Sequence, residues 1–339
     1  MKLWYEKGAW ATKKAKTIAN TISPESVHSI AVIRHAAIGD MMVLRPFLVQ
    51  ARTFFPNAKI TISIINTYSY GVPADLVDRI HRIDKKINGK KTSYTARLKQ
   101  IRKLGEHDLI FDMANTGLSS MICLLNRAKL KIGFPYRTFK NYLFYDIGIL
   151  RSDLVPEVET LLHMLYIFGA PKLSNLNYAY PAYTAKVDRP YIVYFTSASL
   201  GWKCWPKEHF VTLIKTMASH YPNIDHIILE GINSHEKADD LIAQLSNFSN
   251  VVKQEVLSLD QVISFLGEAT LVVCGDTGIR NMAIATETVT VGIFFFTVPY
   301  RYLPINTKHH AVFNSDGSIP NVESVFDKIQ KYIINDNLC

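Results

Sequence analysis

Apolar, β-rich runs recur along this chain, each followed by a turn and an amphipathic segment, and the whole rhythm occurs twice. "SIAVIRHA" from Ser29 reads as a buried strand and "VLRPFLVQARTFF" as a helix, "AKITISIIN" and "DLIFDMAN" as further strands, and "GLSSMICLLNRAK" as a helix. "GAPKLSNLNYAYPAYTAKVDRP" then breaks the pattern with Pro, Asn and Tyr, the composition of a linker. Beyond it "YIVYFTSAS", "DHIILEG", "ATLVVCGD" and "TVTVGIFFF" read as strands. "PKEHFVTLIKTMASHY", opened by proline, "SHEKADDLIAQLSN" and "NVESVFDKIQKYIIN" read as helices. Continuous apolar strands alternating with helices predict parallel sheets with helices on both faces. Two such halves in 339 residues predict an α/β chain of two Rossmann-like domains facing across a cleft. The expected boundaries are 27–175 for the first and 186–339 for the second, after a basic segment over 1–26.

Charge narrows the partners. A formal net charge of +9 calls for an anionic one: nucleotide, phosphorylated glycan, membrane surface or nucleic acid. Arg79, Arg82, Lys85, Lys86, Lys90, Lys91, Arg97, Lys99, Arg102 and Lys103 form a basic field in the first half, continued by Arg127, Lys129, Lys131, Arg137 and Lys140. It is either a solvated face or a surface for phosphates and carboxylates. No RNA- or DNA-binding motif accompanies it, so nucleic acid is not expected. The first 26 residues mix Lys2, Lys7, Lys13, Lys14 and Lys16 with Trp4, Tyr5 and Trp10. Such a segment either lies on an anionic membrane surface or packs on its own domain.

A cytoplasmic setting is expected. The N-terminus lacks the apolar core of a signal peptide, and the longest apolar run, "VTVGIFFFTVP", is about half of what a membrane-spanning helix needs. Cys123, Cys204, Cys274 and Cys339 form no CxxC pair, which fits a reducing compartment. The histidines, including the adjacent His309 and His310, show no ligand spacing, and neither metal nor cofactor is expected. Neither half carries G-x-G-x-x-G or a Walker P-loop, which argues against a standard dinucleotide enzyme or P-loop NTPase.

Three strand-to-helix turns are left to carry chemistry, because doubly wound sheets bind ligands beyond the carboxyl ends of their strands. In "HAAIGD", Gly39 permits a sharp turn and Asp40 is either the cap of the next helix or a catalytic carboxylate. Arg34 and His35 in the same turn, with Arg137, are candidates for acceptor binding. "VVCGDTGIRNMAIA" has the layout of an anion site, with the amides of Thr277, Gly278 and Ile279 at a helix start. In "FTSASLGWKCWPKEHF", Ser199 and Lys203 precede a helix, and the lysine could neutralise a diphosphate.

Together the turns resemble the bacterial heptosyltransferases of glycosyltransferase family 9. The resemblance runs from about residue 29 to 315 and rests on five elements in order. These are "VIRHAAIGDMMVLRPFL", "HDLIFDMANTGLSSMICLLNRAKLKIGF", "SASLGWKCWP", "LEGINSHEKADDL" and "CGDTGIRNMAIA". It implies a GT-B fold and an inverting, metal-independent sugar transferase moving heptose from ADP-heptose to the inner core of lipopolysaccharide. A transferase with a different nucleotide sugar or acceptor is the alternative, and a nucleotide-sugar or glycan binder without catalysis is a third reading. By the same resemblance Asp40 is the general base and Lys203, Thr277 and Gly278 hold the diphosphate. Asp276 is the signature aspartate, Glu236 lies near the donor ribose and Leu257 beside the adenine. The chain departs from the family pattern at Ala36 and Ala37, where Ser or Thr is common, and at Asn281, where His is common after Arg280.

Overall fold

The computed structural model describes residues 10–87, 89–134, 143–184, 189–198, 200–304 and 308–335. Its contacts divide the chain into two units, Met1–Ala179 and Tyr180–Cys339, and the division falls inside the Pro- and Asn-rich linker.

The first unit holds seven strands in one sheet: β1 (Trp10–Ala11), β2 (Ser29–Ile33), β3 (Lys59–Ile65), β4 (Arg79–Ile83), β7 (His107–Asp112), β8 (Ala128–Gly133) and β9 (Ile147–Gly148). Their order is β1-β9-β8-β7-β2-β3-β4, parallel except for β1, and β5 (Lys86–Ile87) and β6 (Lys90–Lys91) form a separate hairpin. The helices are α1 (Lys13–Thr21), α2 (Ile38–Phe54), α3 (Tyr94–Arg102), α4 (Gly117–Leu125) and α5 (Glu157–Tyr166).

From Trp10 on, the basic N-terminal segment is part of this unit. β1 pairs antiparallel with β9, and Gly148 leaves room for the Trp10 indole, whose Nε1 lies 2.5 Å from where a Cβ would stand. Ala15 of α1 is fully buried, while Lys13, Lys14 and Lys16 are exposed. Lys2, Trp4, Tyr5 and Lys7 lie outside the described residues.

Helix α2 begins five residues before the expected Val43, and its cap is Ala37, whose side chain makes no cap bond. Asp40 is therefore the third residue of the first turn and not the cap. Every residue from Met41 to Leu48 is buried, and that burial outweighs the cost of about 3 kcal/mol that Pro46 imposes inside a helix. Helix α4 stops four residues short of the expected end, because the Asn126 amide turns back onto the carbonyls of Ile101 (3.1 Å) and Ile122 (2.8 Å). The chain then enters β8.

The second unit carries β10 (Tyr191–Phe195), β11 (Asp225–Leu229), β12 (Val251–Gln254), β13 (Leu271–Gly275), β14 (Thr290–Ile293) and β15 (His309–Val312). They form one wholly parallel sheet in the order β12-β11-β10-β13-β14-β15. Its helices are α6 (Lys207–His220), α7 (Asp239–Gln244), α8 (Leu259–Gly267), α9 (Gly278–Ala285) and α10 (Val322–Asn335). Strand and helix side chains meet in a core that includes Tyr194, Trp205, Phe210, Ile228 and Ile293. Trp205 is buried and donates from Nε1 to the Pro320 carbonyl at 2.9 Å.

Both sheets wind alike. From β2 in one sheet and β10 in the other the chain steps outward through two neighbours, then returns to the other side. The reversal falls between β2 and β7 in one sheet and between β10 and β13 in the other. Beyond the carboxyl ends of such strand pairs the loops diverge and leave a crevice. Among the described residues no helix is long and apolar enough to cross a membrane.

Candidate active site

At the first reversal, Ile33 and Asp112 stand opposite each other at the ends of β2 and β7. Arg34 leaves β2 with its guanidinium only 2% exposed, and it bridges the two loops. One nitrogen donates to the Met113 carbonyl at 2.8 Å and to Glu157 Oε1 at 3.2 Å; the other donates to Asp40 Oδ1 at 2.8 Å. Glu157 opens α5, is buried, and also accepts two bonds from Arg151 at 3.0 and 2.7 Å. Arg151 in turn lies over the Phe134 ring, 5.0 Å from its centre. Two acids and two arginines thus alternate. Buried charges tolerate one another in that arrangement, each having a hydrogen-bonded partner of opposite sign.

The Asp40 carboxylate ends this chain and is 32% exposed, so one face is fixed by Arg34 while the other meets solvent. A carboxylate so oriented can accept a proton from a hydroxyl placed against it. Arg34, the expected acceptor ligand, is committed to Asp40, Glu157 and Met113. Its guanidinium fixes one side of the Asp40 carboxylate. His35 is buried; desolvation, with Lys85 and His81 nearby, lowers its pKa to about 4, so it is neutral at pH 7. Arg137 lies outside the described residues.

Behind this turn, Asp112 closes β7 fully buried. It accepts from the amides of Ala114 (2.9 Å) and Asn115 (3.2 Å) and from the Tyr145 hydroxyl (2.6 Å). Burial raises its pKa against those bonds. It is the strut that holds the Ala114–Thr116 turn, where Asn115 takes a left-handed φ of 48°.

At the second reversal, two loops converge. The β13–α9 turn carries Asp276, half-buried, and Thr277, the cap of α9, whose hydroxyl accepts from the Arg280 amide at 3.4 Å. Gly278 and Ile279 open the helix, so their N–H groups have no intrahelical acceptor and point along the positive end of the dipole. The β10–α6 loop brings Lys203, whose ammonium sits 3.5 Å from Asp276 Oδ2. The same carboxylate oxygen accepts from the Thr297 hydroxyl at 2.6 Å, which ties the loop after β14 into the cluster. A cation and a hydroxyl thus meet the Asp276 carboxylate beside two helix-start amides, and helix starts of this kind favour anions.

On the β11 side, Glu236 Oε2 accepts from the Asn233 amide (2.8 Å) and side chain (3.0 Å). The carboxylate lies against Gly231, where a Cβ would come within 2.3 Å of Oε2. The helix expected over Ser234–Asn247 is broken by this capping box: a single tight turn spans Ser234–Glu236 and α7 starts only at Asp239. Leu257, half-buried, immediately precedes the Ser258 cap of α8. Ser199 lies outside the described residues.

Asn281 and Arg280 are both buried. The Arg280 guanidinium donates to the Tyr302 carbonyl at 2.9 Å and lies 5.0 Å above the Phe294 ring. It crosses β14 at Gly292, where a Cβ would fall 2.5 Å from Arg280 Nε. Its charge is therefore engaged against β14, the Phe294 ring and the Tyr302 carbonyl. Among the described residues no group of three or more His, Cys, Asp or Glu could hold a metal ion.

Residues 97–332 match the sequence profile of glycosyltransferase family 9 (heptosyltransferase). The chain belongs to glycosyltransferase family 9. Solved structures agree with this family-9 transferase in fold. E. coli heptosyltransferase WaaC with ADP-2-deoxy-2-fluoro heptose superposes with a TM-score of 0.70 at 19% identity, over 91% of this chain and 99% of that one. A family-9 glycosyl transferase from Veillonella parvula gives 0.68 at 15%, over 93% and 98%. E. coli ADP-heptose lps heptosyltransferase II gives 0.67 at 16%, over 91% and 99%. At these identities the likeness establishes the GT-B fold. No match was found among curated proteins. Sequence reasoning missed Glu157 and Arg151, which are 123 and 117 positions from Arg34 and carry no local signature.

Proposed function

We propose that this family-9 transferase moves heptose from ADP-heptose to the inner core of lipopolysaccharide, in one inverting displacement that needs no metal. The carrying observation is the second reversal, where Lys203, Thr277 and the first amides of α9 gather around Asp276. The acceptor O–H gives its proton to Asp40. The oxygen bonds to the anomeric carbon as the carbon–phosphate oxygen bond breaks, and the electron pair leaves with ADP. One displacement inverts the carbon, and one base suffices. Lys203 and the helix amides meet the charge that grows on the leaving diphosphate, the task a divalent ion performs elsewhere. The basic field of the first unit suits a phosphorylated, acidic acceptor. A lipid-anchored acceptor would bring the enzyme to the inner membrane face, which co-sedimentation with anionic vesicles reads.

A second reading keeps the chemistry and changes the transferred sugar. Asn281 favours it, because a neutral amide stands where a histidine could carry charge, and Arg280 is turned away. Both readings share one test. Transfer should proceed at full rate in excess EDTA; loss of activity restored by magnesium would overturn the metal-free step.

A further inference from the structure

Trp202 and Phe296 are large aromatic side chains left 53% and 64% exposed, from two different loops, with ring centres 4.0 Å apart. The Lys203 ammonium lies over both rings, 5.7 Å from one centre and 5.8 Å from the other. Thr297, next to Phe296, is bonded to Asp276. The pair is thus built onto the anion cluster and is not a stray surface contact. Two exposed rings are costly to solvate and have no partner of their own kind among the described residues beyond each other.

The order of the strands says which part of a ligand they face. Carboxyl-end loops line up across the sheet as Leu257 after β12, Glu236 after β11, Lys203 after β10, Asp276 after β13 and Phe296 after β14. That row covers four strand spacings, about 19 Å, long enough for an extended nucleoside diphosphate sugar. With the phosphates on Lys203, the two ends of such a molecule must lie on opposite sides of it. The Glu236 carboxylate and the half-buried Leu257 suit a ribose diol and a base edge. The sugar then falls on the side of β14, against the rings. One face of a pyranose is a patch of C–H groups, and it packs on an aromatic ring while its hydroxyls stay in water.

We infer that Trp202 and Phe296 form the platform that reads the transferred sugar, making this chain's sugar preference a property of that pair. The inference rests on the proposed nucleotide-sugar reading. Its test compares binding of ADP with binding of ADP-heptose by calorimetry, in the full chain and in Trp202→Ala and Phe296→Ala. In the unaltered protein the sugar should add affinity over ADP. Each variant should lose roughly three- to ten-fold of ADP-heptose affinity, the range of one aromatic contact, with ADP affinity changed less than two-fold; Trp202→Phe should recover most of it. Equal losses for ADP and ADP-heptose would mean that the rings only support Lys203. Unchanged ADP-heptose affinity would mean that the sugar lies elsewhere. Either result overturns the platform and leaves the ADP reading standing. If the unaltered protein binds neither ligand, that reading and the platform fall together.

Discussion

Asp40→Asn should cut turnover by roughly 10²–10⁴-fold while the protein stays folded and binds ADP as before. The substitution keeps the shape of the side chain and removes the proton acceptor. The structural loss is small for three reasons. Ala37, not Asp40, caps α2; the Asp40 side chain is 32% exposed; and Arg34 keeps Glu157 and the Met113 carbonyl as partners. Screening by solvent limits what the ion pair contributes, so about 1 kcal/mol is expected, or roughly 2–4 °C in melting temperature for a unit of this size. Melting curves and single-turnover rates separate the two roles. A variant that melts much earlier but turns over normally in its folded fraction would make Asp40 structural.

Lys203→Ala should weaken ADP binding and slow transfer together. A charge-assisted hydrogen bond contributes about 1.5–3 kcal/mol, roughly 10- to 100-fold in affinity. The same charge stabilises the leaving diphosphate, so the rate per bound donor should fall as well. There is a second contribution. Asp276 loses its ion pair at 3.5 Å and keeps, among the described residues, only the Thr297 hydroxyl, so an uncompensated carboxylate is left beside the proposed phosphate site. The double variant Lys203→Ala/Asp276→Asn should therefore recover part of the ADP affinity. Affinity and rate both unchanged in Lys203→Ala would remove this lysine from the site.

The parts of this molecule that were legible in its sequence are those governed by local pattern. Buried strands such as Ser29–Ile33 and Leu271–Gly275 are continuous apolar runs, and glycine with a polar residue marks each turn that follows. Those turns lead directly to Asp40, Lys203 and Thr277. Element ends were less legible wherever a side chain from elsewhere decides them. Asn126 stops α4 by bonding Ile101, and Ala37 opens α2 without any capping side chain. Short, mixed strands such as β4, with Arg79, His81 and Arg82, and β8 (Ala128–Gly133) carry a weak apolar signal, and their place comes from pairing with neighbours. Long-range contacts were not legible. Nothing near Arg34 announces that Glu157 will hold its other side, or that Trp202 and Phe296 will meet over Lys203. The departures from the family pattern were visible at once, but their meaning was not: Arg280 is a core cation on Phe294.

The most direct measurement is a transfer assay on heptose-deficient lipopolysaccharide with a panel of ADP-, UDP- and GDP-linked sugars. The expected result is turnover with ADP-heptose well above every UDP- and GDP-sugar, insensitive to EDTA and lowered roughly 10²–10⁴-fold in Asp40→Asn. Clear preference for a UDP- or GDP-sugar would contradict it.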